Sequence, residues 1–210
     1  RCCSRSRLAS ILQTLLRQPS ISAQNIGLEP CARMLRDQMV KDGITDTQIL
    51  AAEGGPEVVI GKLTNPDATK TLLCYGHYDV QPPEPLEKWH SDPFAADIRD
   101  GVIYARGATD NKSGCLAFVK ASKAFLNTRG APPVNLVFLF EGEEENGSVN
   151  LEAILEHNKE ALKSDLWVIC DGPMPATGQK QITYGVRGDV NMHLTVYGPK
   201  RPLHSGNYGN

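Results

Sequence analysis

The chain has 210 residues, a formal net charge of −2, 40% hydrophobic and 22% charged residues. That is an ordinary globular composition, long enough for one substantial domain with part of a second. The charge balance lacks a long basic run, so nucleic acid and anionic membrane are not indicated as partners, and no apolar stretch approaches the length that spans a bilayer.

The first residue is Arg1 rather than methionine, so the true start is expected to be processed, trimmed or missing. The opening Arg1-Cys2-Cys3-Ser4-Arg5-Ser6-Arg7 is basic but lacks the apolar core of a secretory signal, and a frayed leader is expected there. Leu8, Ile11, Leu12, Leu15 and Leu16 then fall at helical spacing, and Pro19 stops the pattern. A second helix is predicted over 29–42, with Pro30 in its first turn and Gly43 at its end. Short strands are predicted over 47–51 and 57–63, and Asn65-Pro66-Asp67 turns the chain toward a strand opening at Thr71.

That strand, Leu72-Leu73-Cys74-Tyr75-Gly76-His77, runs out into Tyr78-Asp79-Val80-Gln81-Pro82. His77 and Asp79 are two residues apart, so in extended backbone they face the same way. A carboxylate behind an imidazole fixes its tautomer for metal binding. Taken alone, such a pair is more often two polar side chains in contact with solvent. Carboxylates at the ends of later strands change the balance.

Residues 82–100 are rich in proline and charge and are predicted as one long ordered loop, a kind that is often functional. A short strand over 101–105 follows. The polar turn Arg106-Gly107-Ala108-Thr109-Asp110-Asn111-Lys112-Ser113-Gly114 opens a helix expected to keep Leu116, Val119, Ala121, Ala124 and Phe125 on one side. Residues 134–140 are nearly continuously apolar, as in a covered central strand, and end at Glu141-Gly142-Glu143-Glu144-Glu145. Leu151, Ile154, Leu155 and Leu162 mark another helix, and 166–170 is the next buried strand, ending at Asp171.

Strand and helix in alternation predict an α/β fold, with a mostly parallel central sheet flanked by helices. In such sheets ligands bind beyond the carboxyl ends of the strands, where His77, Glu144, Glu145 and Asp171 all lie. After Gln181 the character changes. Residues 190–196 alternate like a strand with one exposed face, as in a second, antiparallel module. The expected domains are a catalytic one over 1–184 and the beginning of an α+β lid or dimerisation domain over 185–210.

Six cysteines show no zinc-knuckle or Cys-x-x-Cys spacing, and Cys74, Cys115 and Cys170 are expected to be small buried thiols, which favours a reducing, cytoplasmic compartment. The sequons at Asn111 and Asn146 abut the chemical motifs and are read as chance matches. The tripeptide Arg187-Gly188-Asp189 is read as ordinary chain, not as an adhesion signal. No Gly-x-Ser-x-Gly elbow and no Gly-rich phosphate loop is present, which disfavours a serine hydrolase or a nucleotide-binding kinase type.

One imidazole with Asp110, Glu144, Glu145 and Asp171 is a mixed N/O donor set suited to zinc, manganese or cobalt. So many carboxylates at one sheet edge repel one another unless cations neutralise them, and two ions about 3.5–4 Å apart would do so. Adjacent Glu144 and Glu145 can diverge, one toward metal and the other acting as a general base. An acidic run alone is usually a solvated turn; the preceding buried strand and the following Gly147-Ser148 tilt that reading.

The motifs Gly76-His77-Tyr78-Asp79-Val80-Gln81-Pro82, Arg106-Gly107-Ala108-Thr109-Asp110-Asn111-Lys112, Glu144-Glu145-Asn146-Gly147-Ser148, Cys170-Asp171 and Leu203-His204-Ser205-Gly206 resemble, in order, the metallopeptidase family of carnosine-type dipeptidases, aminoacylases and succinyl-diaminopimelate desuccinylase. The dipeptidase branch is the nearer match, and only an N-terminal portion is represented. The resemblance implies a dinuclear metal hydrolase, most simply with two zinc ions, acting on dipeptides or N-acyl amino acids. It implies that His77 and Asp171 bind one ion, Glu145 the other, and Asp110 both. Asp79 orients His77, Glu144 takes the proton from the metal-bridging water and passes it to the leaving amine, and His204 in the lid stabilises the oxyanion, typically in the partner subunit of a homodimer. It further implies a cis peptide after Asp110. The last metal ligand of that family, a C-terminal histidine, has no counterpart: His90, His157 and His193 do not match its motif. The alternative is therefore a non-catalytic binding or dimerisation fragment of the same fold.

Overall fold

The computed structural model describes residues 5–51, 54–172, 175, 177–204 and 206. The chain divides into two compact units, residues 1–173 and residues 174–210. In the first, helices α1 (Arg5–Leu16) and α2 (Leu28–Lys41) lead to strands β1 (Asp46–Leu50), β2 (Val58–Leu63) and β3 (Thr71–His77). A small hairpin, β4 (Asp97–Arg99) with β5 (Val102–Tyr104), precedes helix α3 (Lys112–Arg129). Strand β6 (Asn135–Glu141), helix α4 (Leu151–His157) and strand β7 (Leu166–Ile169) complete it.

The main sheet has the order β1-β2-β6-β3-β7. β3 runs parallel to both β6 and β7, whereas β2 is antiparallel to its neighbours β1 and β6. All strands but β2 therefore point one way, and the expected mostly parallel α/β sheet is present.

Side chains alternate across this sheet with the two-residue period of a strand. Val59, Cys74, Phe138 and Phe140 point into a core layer shared with Leu15, Leu35, Met39, Cys115 and Val119 from α1, α2 and α3. Val58, Ile60, Leu73, Val137 and Leu139 face the other side, against Ile154 of α4 and Leu162. Helices thus cover both faces of the central strands, which explains why β6 reads as a continuous apolar run. Gly76 lets α3 approach β3 closely: a Cβ there would meet Cys115 Sγ at 2.8 Å.

Several expectations are corrected. The inward stripe of α3 is Cys115, Leu116, Val119 and Ser122, while Ala121, Ala124 and Phe125 are exposed. The helix is rotated so that its first residue, Lys112, is buried. Cys170 is exposed, because it lies just past β7, whose Leu166 and Ile169 are themselves exposed at the end of the sheet order. The long loop over 82–100 ends in an unforeseen strand, β4. Asp100 and Gly101 join β4 to β5 with φ of 50° and 80°, as a two-residue hairpin turn requires.

In the second unit no helix or strand forms among the described residues, and the strand predicted over 190–196 is absent. A strand with one exposed face needs a neighbour for its backbone N–H and C=O groups, and no described residue pairs with this run. No helix among the described residues is long and apolar enough to cross a membrane.

Candidate metal centre

The carboxyl ends of three adjacent parallel strands build the site. β3 delivers His77, which pairs in register with Glu141 at the end of β6. β7 leads directly to Asp171, and the turn before α3 delivers Asp110. Extended backbone past His77 is held by a hydrogen bond from Val80 N to Ser20 O at 2.9 Å and by an isolated bridge between Ile21 and Val80.

The His77 side chain is fully buried. Its Nδ1 faces Asp79, with the backbone oxygen at 3.1 Å and the carboxylate Oδ1 at 3.3 Å. An Nδ1–H donated to Asp79 leaves Nε2 as the ring atom that faces the cluster. Nε2 lies 3.0 Å from Asp110 Oδ1, 3.1 Å from Asp171 Oδ2 and 3.7 Å from Glu144 Oε2. The donor atoms of His77, Asp110 and Asp171 all fall within 4.8 Å of one another. Ligands held about 2.0–2.1 Å from a tetrahedral zinc ion are about 3.3 Å apart. The three residues therefore fit a divalent ion in donor type and in spacing. The peptide bond between Asp110 and Asn111 is cis, as the resemblance implied.

Asp79 does more than orient a ring. Its Oδ1 accepts the backbone N–H of Glu144 at 3.2 Å, and its Oδ2 accepts that of Glu145 at 3.1 Å. The turn carrying both glutamates is thereby fastened to the element that carries His77. Farther along it, Glu143 accepts from the backbone and side chain of Asn150, and Ser148 donates to Glu141 at 2.9 Å.

Electrostatics follow from this crowding. Burial disfavours the charged imidazole, yet the hydrogen bond and charge of Asp79, with the charges of Glu144 and Asp171, raise the His77 pKa to about 9. Burial pushes the Glu144 carboxyl above its ordinary range, Glu145 and Asp171 add to this, and His77 opposes it. Burial also raises Glu145, with Asp110 adding and the Gln81 hydrogen bond opposing.

Among the sequence-predicted residues, His77, Asp79, Asp110, Glu144 and Asp171 come together. Glu145 stands apart from the three-donor cluster and turns its carboxylate to Gln81. His204 lies in the second unit, where its Nδ1 accepts the backbone N–H of Gly206 at 3.1 Å.

Sequence reasoning missed two residues. Gln81 continues the same-face series of His77 and Asp79 by two more positions, which was the available signal. Lys112 is fully buried and donates to the carbonyl oxygens of Leu15 and Gln18 at 3.2 and 2.5 Å, tying the Asp110 turn to the end of α1. Its signal was the stripe Cys115, Leu116, Val119 extended one turn backward.

Comparison with known proteins bears on this arrangement. The chain is 37% identical over 203 residues to the Beta-Ala-His dipeptidase of Homo sapiens, covering 94% of this chain and 38% of that protein. It is 38% identical over 157 residues to a Cys-Gly metallodipeptidase of Schizosaccharomyces pombe, covering 73% of this chain and 33% of that one. Among solved structures, an M20 family metallo-carboxypeptidase from Sulfolobus solfataricus matches with a TM-score of 0.77 and 39% identity, over 82% of this chain and 39% of that one. The chain thus spans less than two fifths of the length of these relatives. The profile of peptidase family M20/M25/M40 matches residues 73–206, which include His77, Asp110, Glu144, Glu145, Asp171 and His204. The chain belongs to peptidase family M20/M25/M40.

Proposed function

We propose that this chain carries the metal-holding and proton-transferring part of a dinuclear hydrolase that cleaves dipeptides or related N-acyl amino acids. The observation that carries the reading is the convergence of His77 Nε2 with the carboxylates of Asp110 and Asp171, 3.0 and 3.1 Å away, with Glu144 poised 3.7 Å from the same nitrogen. The names of the three relatives given above, two dipeptidases and a metallo-carboxypeptidase, agree with it.

His77 and Asp171 would hold one divalent ion and Glu145 the other, with Asp110 available to both. Zinc suits the mixed N/O donors best, and manganese or cobalt are compatible. Ions bound there supply Lewis acidity toward the scissile carbonyl and make water a nucleophile at neutral pH. Glu144 accepts the proton of the attacking water and returns it to the leaving amine. Burial raises its pKa, which is the direction that helps a base act later as an acid. Asp79 keeps His77 in one tautomer and holds Glu144 in place. His204 contributes a donor to the developing oxyanion from a lid whose beginning is residues 185–210, the catalytic domain being 1–184. A homodimer in the cytoplasm is the setting we assign.

Glu144→Gln in the full-length protein tests the reading. It should reduce turnover of dipeptides by at least about a hundredfold while both ions stay bound. Loss of metal with the substitution would instead exchange the roles of Glu144 and Glu145.

A further inference from the structure

Gln81 has no role in the scheme above, yet its side chain is bound to the site. Its Nε2 donates to the backbone oxygen of Glu145 at 2.9 Å and to Glu145 Oε2 at 3.0 Å. One amide nitrogen has two hydrogens, so both bonds can form at once. Glu145 N–H is meanwhile donated to Asp79 Oδ2 at 3.1 Å. Glu145 is therefore held at its N–H, its carbonyl and one carboxylate oxygen, by two residues of the segment that follows β3. Its Oε1 is the remaining atom.

We propose that Gln81 is a positioning residue that holds Glu145 in a single-oxygen ligand pose and so sets the affinity for the second of the two ions. The inference rests on the two-ion reading above. A glutamate side chain has three rotatable bonds, and this one sits half-buried at a turn beside other carboxylates that repel it. Without a donor behind Oε2, the side chain is free to swing to solvent or to offer both oxygens. With the donor, one oxygen is engaged and only Oε1 is left to bind an ion. His77 is fixed from behind by Asp79, and Gln81 does for Glu145 what Asp79 does for His77. The first ion, held by His77, Asp110 and Asp171, makes no use of this contact. The effect of removing Gln81 must therefore be unequal between the two ions.

Residues that orient a metal ligand typically change metal affinity about 10–100-fold when removed. Gln81 is exposed, so water competes for its bonds and the lower end applies. The test uses the full-length protein stripped of metal and titrated with cobalt(II), with affinities read by calorimetry and by the visible absorption of each bound ion. Gln81→Leu keeps the bulk and removes both donors; Gln81→Met is a second variant of similar shape. Both should leave the first ion unchanged and weaken the second about tenfold, without a change in thermal midpoint of the metal-free protein. Excess cobalt should then restore the second absorption band. Wild-type protein that takes two ions, with both variants matching it ion for ion, overturns the role of Gln81 alone. Equal weakening of both ions with a lowered thermal midpoint also overturns it, since that is the mark of a general structural role. Wild-type protein that takes fewer than two ions overturns the two-ion reading and this inference together.

Discussion

Asp79 binds the backbone N–H of Glu144 with the same carboxylate that faces Nδ1 of His77, so the candidate base and the candidate metal ligand share one anchor. Asp79→Asn puts an amide NH2 where one carboxylate oxygen now accepts an N–H, so one of the bonds to the glutamate turn must be lost. We expect metal affinity to fall about 10–100-fold with the fold intact. Competition against a chelator, with circular dichroism as the control, measures this. Unchanged affinity would leave Asp79 a purely structural residue.

Asp110→Ala removes the residue assigned to both ions. Two cations without the carboxylate between them repel, so both should leave, and metal analysis of the purified variant should find well under one equivalent. Retention of two equivalents would contradict the bridging assignment.

The raised pKa of His77 sets a pH dependence. A histidine at about 9 in the metal-free folded protein, against about 6.5 unfolded, adds stability that is fully present below the unfolded value. That contribution is lost as pH rises through about 9. Metal binding needs the neutral ring, so below that pH each ion bound at His77 must displace a proton. Apparent affinity for the first ion should therefore rise about tenfold per pH unit up to that point. Calorimetric titrations in buffers of different ionisation enthalpy count the released proton; identical heats in all buffers would refute it.

Lys112→Met should destabilise the protein. The carbonyls of Leu15 and Gln18 lose their donor, and a buried acceptor left unsatisfied costs about 1–3 kcal/mol. Urea denaturation of the metal-free protein should show a lower midpoint at unchanged slope. An unchanged midpoint would mean that water takes over both carbonyls.

Much of this fold was legible because its elements alternate in type and period. The strand ending at His77, the strand ending at Glu141 and the strand ending before Asp171 were each marked by an apolar run that stops at an acid or an imidazole. That they meet at one rim followed from the parallel-sheet rule. The insertion of β2 in reverse between β1 and β6 was not legible, since a strand's own residues do not name its neighbours. β4 was hidden among prolines and charges, although the Asp100-Gly101 pair signals a hairpin. The face of α3 was misjudged because Lys112 was placed in the polar turn that opens the helix and not on its apolar stripe; a lysine there can be buried if its ammonium finds carbonyls. Gln81 was missed for a related reason: its partner, Glu145, lies 64 positions away in the chain.

The register of β3 against β6 and β7 has one more consequence. Neighbouring strands stand about 4.8 Å apart, so His77, Asp171 and the glutamate turn are spaced by main-chain bonding rather than by their own side chains. A slip of β3 by a single position would bring Gly76 to the rim and swing the imidazole into the opposite helical layer. The dimensions of the ion cradle are thus a property of the polypeptide ladder. A change in the connecting segments can alter the chemistry without stretching the frame.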